Sequence, residues 1–237
     1  MSGRIAEIDW QSTPFGEISL RRRHDPVLDQ EVFEVLLGDE YLMSSSFTAA
    51  EEELASTALD SVSGRELRVL VGGLGLGHTA REVLRDDRVS HMTVVDALAP
   101  VISWHRRRLV PLGIEVSGDE RTSLFEGDFF DLVQRRSGPC GEPPWNAVIV
   151  DIDHSPRHTL ARGNEWLYTD AGTRALAALL VDEGVFALWS NDPPDEEYLE
   201  VLRGTFPRVS SHVVSFPNPL QGGEATNTVY VAQLGER

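Results

Sequence analysis

From about residue 65 onward, short runs of β-branched and aliphatic residues alternate with segments whose apolar positions recur at helical spacing. The runs predict strands at 68–71, 92–95, 123–126, 147–152 and 184–190, with helices at 79–85, 98–110 and 171–181 between them. Strict alternation of strand and helix predicts a mostly parallel, doubly wound sheet. The end of the chain departs from this pattern. Segments 209–216 and 228–233 read as strands joined only by a Pro/Gly/Asn-rich loop, and without a crossover helix they predict an antiparallel closing pair. The first 45 residues carry short strand patterns at 16–23, 30–37 and 40–43, the last following the Gly38-Asp39 turn signal. Thr48 reads as an N-cap, and Glu51 three residues later completes a capping box before a helix at 49–59. Ser61-Val-Ser-Gly64 then reads as a hinge.

The expected organisation is a small N-terminal β region with a gate helix (1–60), followed by an α/β domain (61–237). A parallel sheet finished by an antiparallel pair fits the Rossmann-like fold of S-adenosylmethionine methyltransferase type. Composition narrows the setting. No run of about 18 apolar residues is present, and the longest candidate, 175–189, is broken by Asp182, Glu183 and Gly184. The start of the chain has no apolar core of signal-peptide type. The single cysteine, Cys140, can form no internal disulfide. A cytoplasmic protein, neither inserted in a membrane nor built on a metal, is therefore expected. The net charge of −17 opposes nucleic-acid binding, because it repels phosphate backbones. All 21 basic residues are Arg, and the first 60 residues hold 4 of them against 13 acids. Such a surface is either a solvated acidic face or a funnel that concentrates a cationic substrate.

The candidate chemistry begins where the first predicted strand of the large domain runs into Gly72-Gly-Leu-Gly-Leu-Gly77, ahead of a helix near His78-Thr79. Glycines at such a turn let the backbone approach a ligand, and the helix N-terminus adds partial positive charge. Asp96 ends the next strand, where a carboxylate can accept hydrogen bonds from both ribose hydroxyls. The spacing Gly73-x-Gly75-x-Gly77 differs from the Gly-x-Gly-x-x-Gly of dinucleotide binders and suits a single nucleoside. Asp128, just past the third strand, either meets an adenine amino group or caps a helix at 129–134. His105, beside Arg106-Arg-Arg108, reads as part of a solvated helix face, and Trp104 and Trp189 as core or sheet-edge aromatics.

An ordered set of segments resembles the spermidine synthase (polyamine aminopropyltransferase) family, in particular its bacterial spermidine synthase-like branch. Thr13-Pro-Phe-Gly-Glu17 is similar to the family's N-terminal strand entry, and Leu42-Met-Ser-Ser-Ser-Phe-Thr48 to the segment covering the donor. Residues 69–84 resemble its glycine loop and helix, Thr93-Val-Val-Asp-Ala-Leu98 its ribose-binding strand end, and Phe125-Glu-Gly-Asp128 its adenine-binding place. Val148-Ile-Val-Asp-Ile-Asp-His-Ser-Pro156 stands at its catalytic segment. The departures fall on amine recognition. Leu76 stands where the glycine loop carries an acid, His154 where the catalytic segment has its second acid, and Ala50-Glu51 where the gate helix has a Tyr-Gln or Tyr-His pair.

The resemblance implies an alkyl transfer from S-adenosylmethionine or its decarboxylated form, as donor substrate, to a small amine-bearing acceptor. It implies that Asp151 removes the acceptor's proton and that Tyr168 closes over the donor. His154 is an alternative base, since imidazole titrates near neutrality, and Asp153 could orient it or hold a cation. Core packing is the alternative for Tyr168. Two other readings stay open: an ordinary methyltransferase on the same scaffold, and a non-catalytic protein that binds an adenosyl nucleoside. The N-terminal strands are also available to pair in a homodimer.

Overall fold

A computed structural model of the chain describes residues 5–141, 144–220 and 222–236. Four antiparallel strands lie side by side in chain order: β1 (Ala6–Thr13), β2 (Gly16–Asp25), β3 (Gln30–Leu37) and β4 (Glu40–Ser44). β1 is absent from the sequence pattern. It is an edge strand with no fully buried residue and exposes Trp10, so its apolar positions are too few to signal a strand.

The larger sheet contains β5 (Leu67–Gly72), β6 (Val89–Asp96), β7 (Thr122–Glu126), β8 (Trp145–Val150), β9 (Leu180–Ser190), β10 (Arg208–Asn218) and β11 (Gly223–Gln233). Its order is β10-β11-β9-β8-β5-β6-β7. The pairs among β5 to β9 are parallel, and β11 runs antiparallel between β9 and β10. This is the doubly wound sheet with an antiparallel closing pair. The strand order reverses between β5 and β8, which opens a crevice beyond their C-terminal ends.

Helices α1 (Ala49–Asp60), α2 (His78–Arg85), α3 (Ala99–Arg106) and α4 (Gly113–Gly118) share one hydrophobic core with Ile18, Leu20 and Val35 of the small sheet. On the opposite face, α5 (Phe129–Arg135), α6 (Asp170–Ala177) and α7 (Glu196–Arg203) contribute to a second core around Phe186 and Tyr230. α1 follows the small sheet in sequence but packs on α2, β9 and β11 through Leu54, Ala55 and Ala58.

Several boundaries move for identifiable reasons. The helix expected at 171–181 stops at Ala177, because Leu180 pairs with Trp145 and starts β9 instead. The helix expected at 98–110 ends at Arg106, before Arg108 turns to φ +60°. β8 stops at Val150, which leaves Asp151 and Ile152 in the following loop. α4 and α7 have no counterpart in the sequence pattern. β10 and β11 pair as far as Asn218 and Gly223, and Gln221 in the connection between them lies outside the described residues. Among the described residues, no helix is long and apolar enough to cross a membrane.

Candidate active site

The N-cap of α1 departs from its expected form. Thr48 occupies the cap, but its side chain caps no backbone N–H, and its hydroxyl donates to Glu52 instead (3.0 Å). Glu52 also pairs with Arg81 of α2 at 2.6 Å, which ties the first turn of α1 to α2. Glu51, released from the capping box, is desolvated within the electrostatic reach of Asp151.

Beyond the C-terminal ends of β5, β6 and β8, the two sheets enclose a cleft of about 230 Å³. The small sheet supplies Phe15, Leu37, Leu42 and Met43; the large one supplies Gly73, Gly75, Asp96, Asp128, Asp151 and His154, among others. The glycine loop follows β5 because its backbone passes close to its neighbours. A Cβ on Gly73 (φ +93°) would collide with the Asp151 carbonyl, and one on Gly75 (φ +48°) would lie 2.8 Å from Met43 Sδ. Gly77 is the N-cap of α2, turned against His105 and outside the cleft lining.

Asp96 organises this loop. Its Oδ2 accepts from Leu74 N–H (2.9 Å) and its Oδ1 from Leu98 N–H (2.8 Å). Burial raises its pKa, while the Leu98, Leu74 and Gly75 amides pull it down. The three amides leave one of the carboxylate's roughly four acceptor sites for a ligand. Asp128 combines both of its sequence readings. Oδ1 caps α5 by accepting from Phe130 and Asp131 N–H (2.9 and 3.3 Å), yet the residue borders the cleft, and Oδ2 makes no hydrogen bond within the described residues.

At Asp151 the cleft meets a desolvated carboxylate region that includes Glu51, itself outside the cleft lining. Asp151 Oδ2 accepts from Thr79 Oγ1 (2.7 Å), the first turn of α2 having been placed beside β8 by the parallel sheet. Burial raises its pKa to about 6, opposed by the Thr79 bond. Glu51 is raised to about 8, chiefly by burial and then by the Asp151 charge. Arg81 of the neighbouring helix is paired with Glu52, and the charge of Asp151 adds to the burial that favours the protonated form of Glu51. His154 also borders the cleft and reaches Glu40 of β4 at 3.3 Å, joining the two sheets across it.

Three sequence expectations land elsewhere. Asp153 is buried and faces its own loop, accepting from Leu160 N–H, Asn164 Nδ2 and Tyr168 Oη (2.7, 2.8 and 2.8 Å). It therefore shapes the segment that carries Leu160 and Asn164 into the cleft; it makes no hydrogen bond to His154 within the described residues and is not among those lining the cleft. Tyr168 does not close over the cleft. Its ring packs edge-on against Tyr198 at 5.6 Å, and its hydroxyl is committed to Asp153. Leu76, aligned with the family's loop acid, is buried in the core. Glu51 is a residue that the sequence places at a cap and, through the resemblance, at the gate-helix pair, without a role of its own. The capping pattern itself carried no sign of a carboxylate neighbour, since Asp151 lies a hundred residues away.

A family model described as the spermine/spermidine synthase domain matches residues 48–214. The chain belongs to this family. Among curated relatives, it is 27% identical over 200 residues to a polyamine aminopropyltransferase of Pyrobaculum neutrophilum, covering 81% of this chain and 67% of that one. A second, from Sulfolobus acidocaldarius, is 29% identical over 146 residues, covering 60% and 44%. The chain thus spans roughly half to two thirds of the length of these family members. Among solved structures, spermidine synthase from Thermotoga maritima superposes with a TM-score of 0.72 at 19% identity, over 98% of this chain and 74% of that one. A spermidine synthase in complex with the transition state analogue AdoDATO gives the same values. At that identity the likeness establishes the shared fold: a small four-stranded sheet set on a seven-stranded Rossmann-like sheet.

Proposed function

We propose that this cleft binds decarboxylated S-adenosylmethionine and transfers its aminopropyl group to a small cationic amine. The observation that carries the reading is Asp151: a desolvated carboxylate at the end of β8, bordering the same cleft as the glycine loop and Asp96. Asp96 receives the ribose hydroxyls and the free Oδ2 of Asp128 receives the adenine amino group. The aliphatic and aromatic side chains of the small sheet cover the nucleoside.

An alkylammonium near pKa 10.4 costs about 4–5 kcal/mol to deprotonate at pH 7. Ionised Asp151 first attracts the cation and then accepts its proton, with Glu51 beside it as a second proton reservoir. The freed amine lone pair attacks the donor's propyl carbon bound to sulfur. The C–N bond forms as the C–S bond breaks, and that electron pair stays on sulfur as methylthioadenosine. His154, bridged to Glu40, is an auxiliary base at the cleft mouth. Family membership favours aminopropyl over methyl transfer, and the buried, unpaired Cys140 agrees with a reducing cytoplasm.

The test is incubation with decarboxylated S-adenosylmethionine and a panel of diamines and polyamines, followed by chromatography of the nucleoside product. Methylthioadenosine released in an acceptor-dependent manner supports the assignment. S-adenosylhomocysteine formed from S-adenosylmethionine would redirect it to methyl transfer. Tight nucleoside binding with neither product would make the chain a binding protein.

A further inference from the structure

His105 is fully buried at the end of α3, although its Arg-rich surroundings in sequence suggest a solvated face. Its main chain is locked in place. The His105 carbonyl accepts from Arg108 N–H (3.0 Å) and Ser117 Oγ (3.2 Å), and a Cβ on Gly113 would lie 2.8 Å from it. The ring consequently sits beneath the glycine loop. Nε2 is 2.9 Å from the Gly75 carbonyl oxygen, and Cε1 is 2.7 Å from where a Gly77 side chain would begin. A carbonyl can only accept, so Nε2 carries the hydrogen. Nδ1 is buried and without a partner, which fixes a neutral imidazole in one tautomer. Burial lowers the His105 pKa, in keeping with that neutral form.

The consequence falls on the other side of the peptide. In a planar trans peptide, C=O and N–H point in opposite directions. With the Gly75 carbonyl held toward α3, the Leu76 N–H faces away from α3. Neighbouring loop amides are committed: Gly73 to Val95 O, Leu74 to Asp96 and Gly77 to Leu74 O. The Leu76 N–H makes no hydrogen bond within the described residues. Gly75 itself borders the cleft.

We propose that His105 is a positioning residue of the donor site: it fixes the Gly75–Leu76 peptide so that the Leu76 amide is presented, already oriented, to a hydrogen-bond acceptor on the bound adenosyl ligand. The inference rests on the reading of the cleft as an adenosyl site. It explains why a histidine is buried with one nitrogen unpaired where a leucine would pack: the loop carbonyl needs a donor from below.

Two variants separate positioning from packing. His105→Phe fills the space without a donor, whereas the side-chain amide of His105→Gln can reach the same carbonyl. Affinity for methylthioadenosine is measured by calorimetry, amide exchange over residues 73–77 by mass spectrometry without ligand, and folding by Tm. Folded His105→Phe should bind about tenfold more weakly and exchange faster over 73–77, while His105→Gln stays within about threefold of wild type. The 15N spectrum of the wild-type imidazole should show the neutral, Nε2-protonated tautomer at pH 7. Wild-type affinity in folded His105→Phe, an equal defect in His105→Gln, or an Nδ1-protonated spectrum overturns the inference. If the wild type binds no adenosyl ligand, the nucleoside reading fails by itself. Exchange then still decides His105: an unchanged rate over 73–77 in His105→Phe overturns its hold on the loop.

Discussion

The two halves of the cleft are built on opposite electrostatic plans. On the nucleoside side, each acid is engaged by backbone amides: Asp96 by Leu74 and Leu98, Asp128 by Phe130 and Asp131. These carboxylates organise the main chain around them, and at Asp96 three amides oppose a burial that still raises its pKa. On the side proposed for the acceptor, Asp151 has a single hydroxyl donor, and Glu51 lies within its electrostatic reach while Arg81 pairs with Glu52. Burial raises the pKa of both acids, a desolvation that a ligand cation would relieve. Under the proposed function the difference is a division of labour: a preorganised main-chain cradle for the donor, and a desolvated carboxylate for the acceptor.

The sharpest test of this division is Asp151→Asn. Transfer should fall by about 10²–10⁴-fold at every pH from 6 to 9, in kcat/KM followed through methylthioadenosine release. Methylthioadenosine affinity should remain within about threefold. An equal loss of affinity would erase the distinction between the halves.

Asp96→Ala should show the converse. Affinity for both S-adenosylmethionine and methylthioadenosine should drop by about 10–100-fold in calorimetry, because a charged acceptor and the loop geometry go together. Tm should fall as well, since the Leu74 and Leu98 amides lose their partner. Unchanged affinity for both ligands would remove Asp96 from the donor half.

A smaller effect concerns Glu51 and pH. Its pKa in the folded chain, about 8, lies above the ordinary 4.5, so between those values the folded state binds more protons than the unfolded state. Stability from this group is therefore complete at low pH and is lost as pH rises through 8. Glu51→Gln should escape the loss, raising stability at pH 9 by about 1–2 kcal/mol, or ~2–6 °C in Tm, with little change at pH 5. Calorimetric melts at the two pH values check it. Equal shifts at both would mean that Glu51 is not held neutral by the acceptor half.

The smallest expected effect is that of His154→Ala. It should cost a few-fold in kcat/KM near neutral pH, with recovery as rising pH supplies neutral amine without help. A loss as large as that of Asp151→Asn would move the principal base from the strand end to the cleft mouth.

Much of this was legible in the sequence for a local reason. The strand–glycine–helix turn at Gly73, the acid ending the next strand at Asp96 and the cap-or-contact choice at Asp128 are short-range patterns. Backbone geometry and strand period fix their placement within a few residues. The parallel sheet and its antiparallel finish follow from which strands have a helix between them. Only the tertiary structure decided where side chains with two uses would go. Glu51 forms no capping box and is desolvated near Asp151, because α1 packs on the large sheet. Tyr168 donates to Asp153, whose other oxygen serves Leu160 and Asn164, and neither residue lines the cleft. His105, surrounded in sequence by arginines, is buried beneath the glycine loop. In each case the deciding partner lies from 15 to about a hundred residues away, and desolvation, which depends on everything packed around a group, has no signature in the residues beside it.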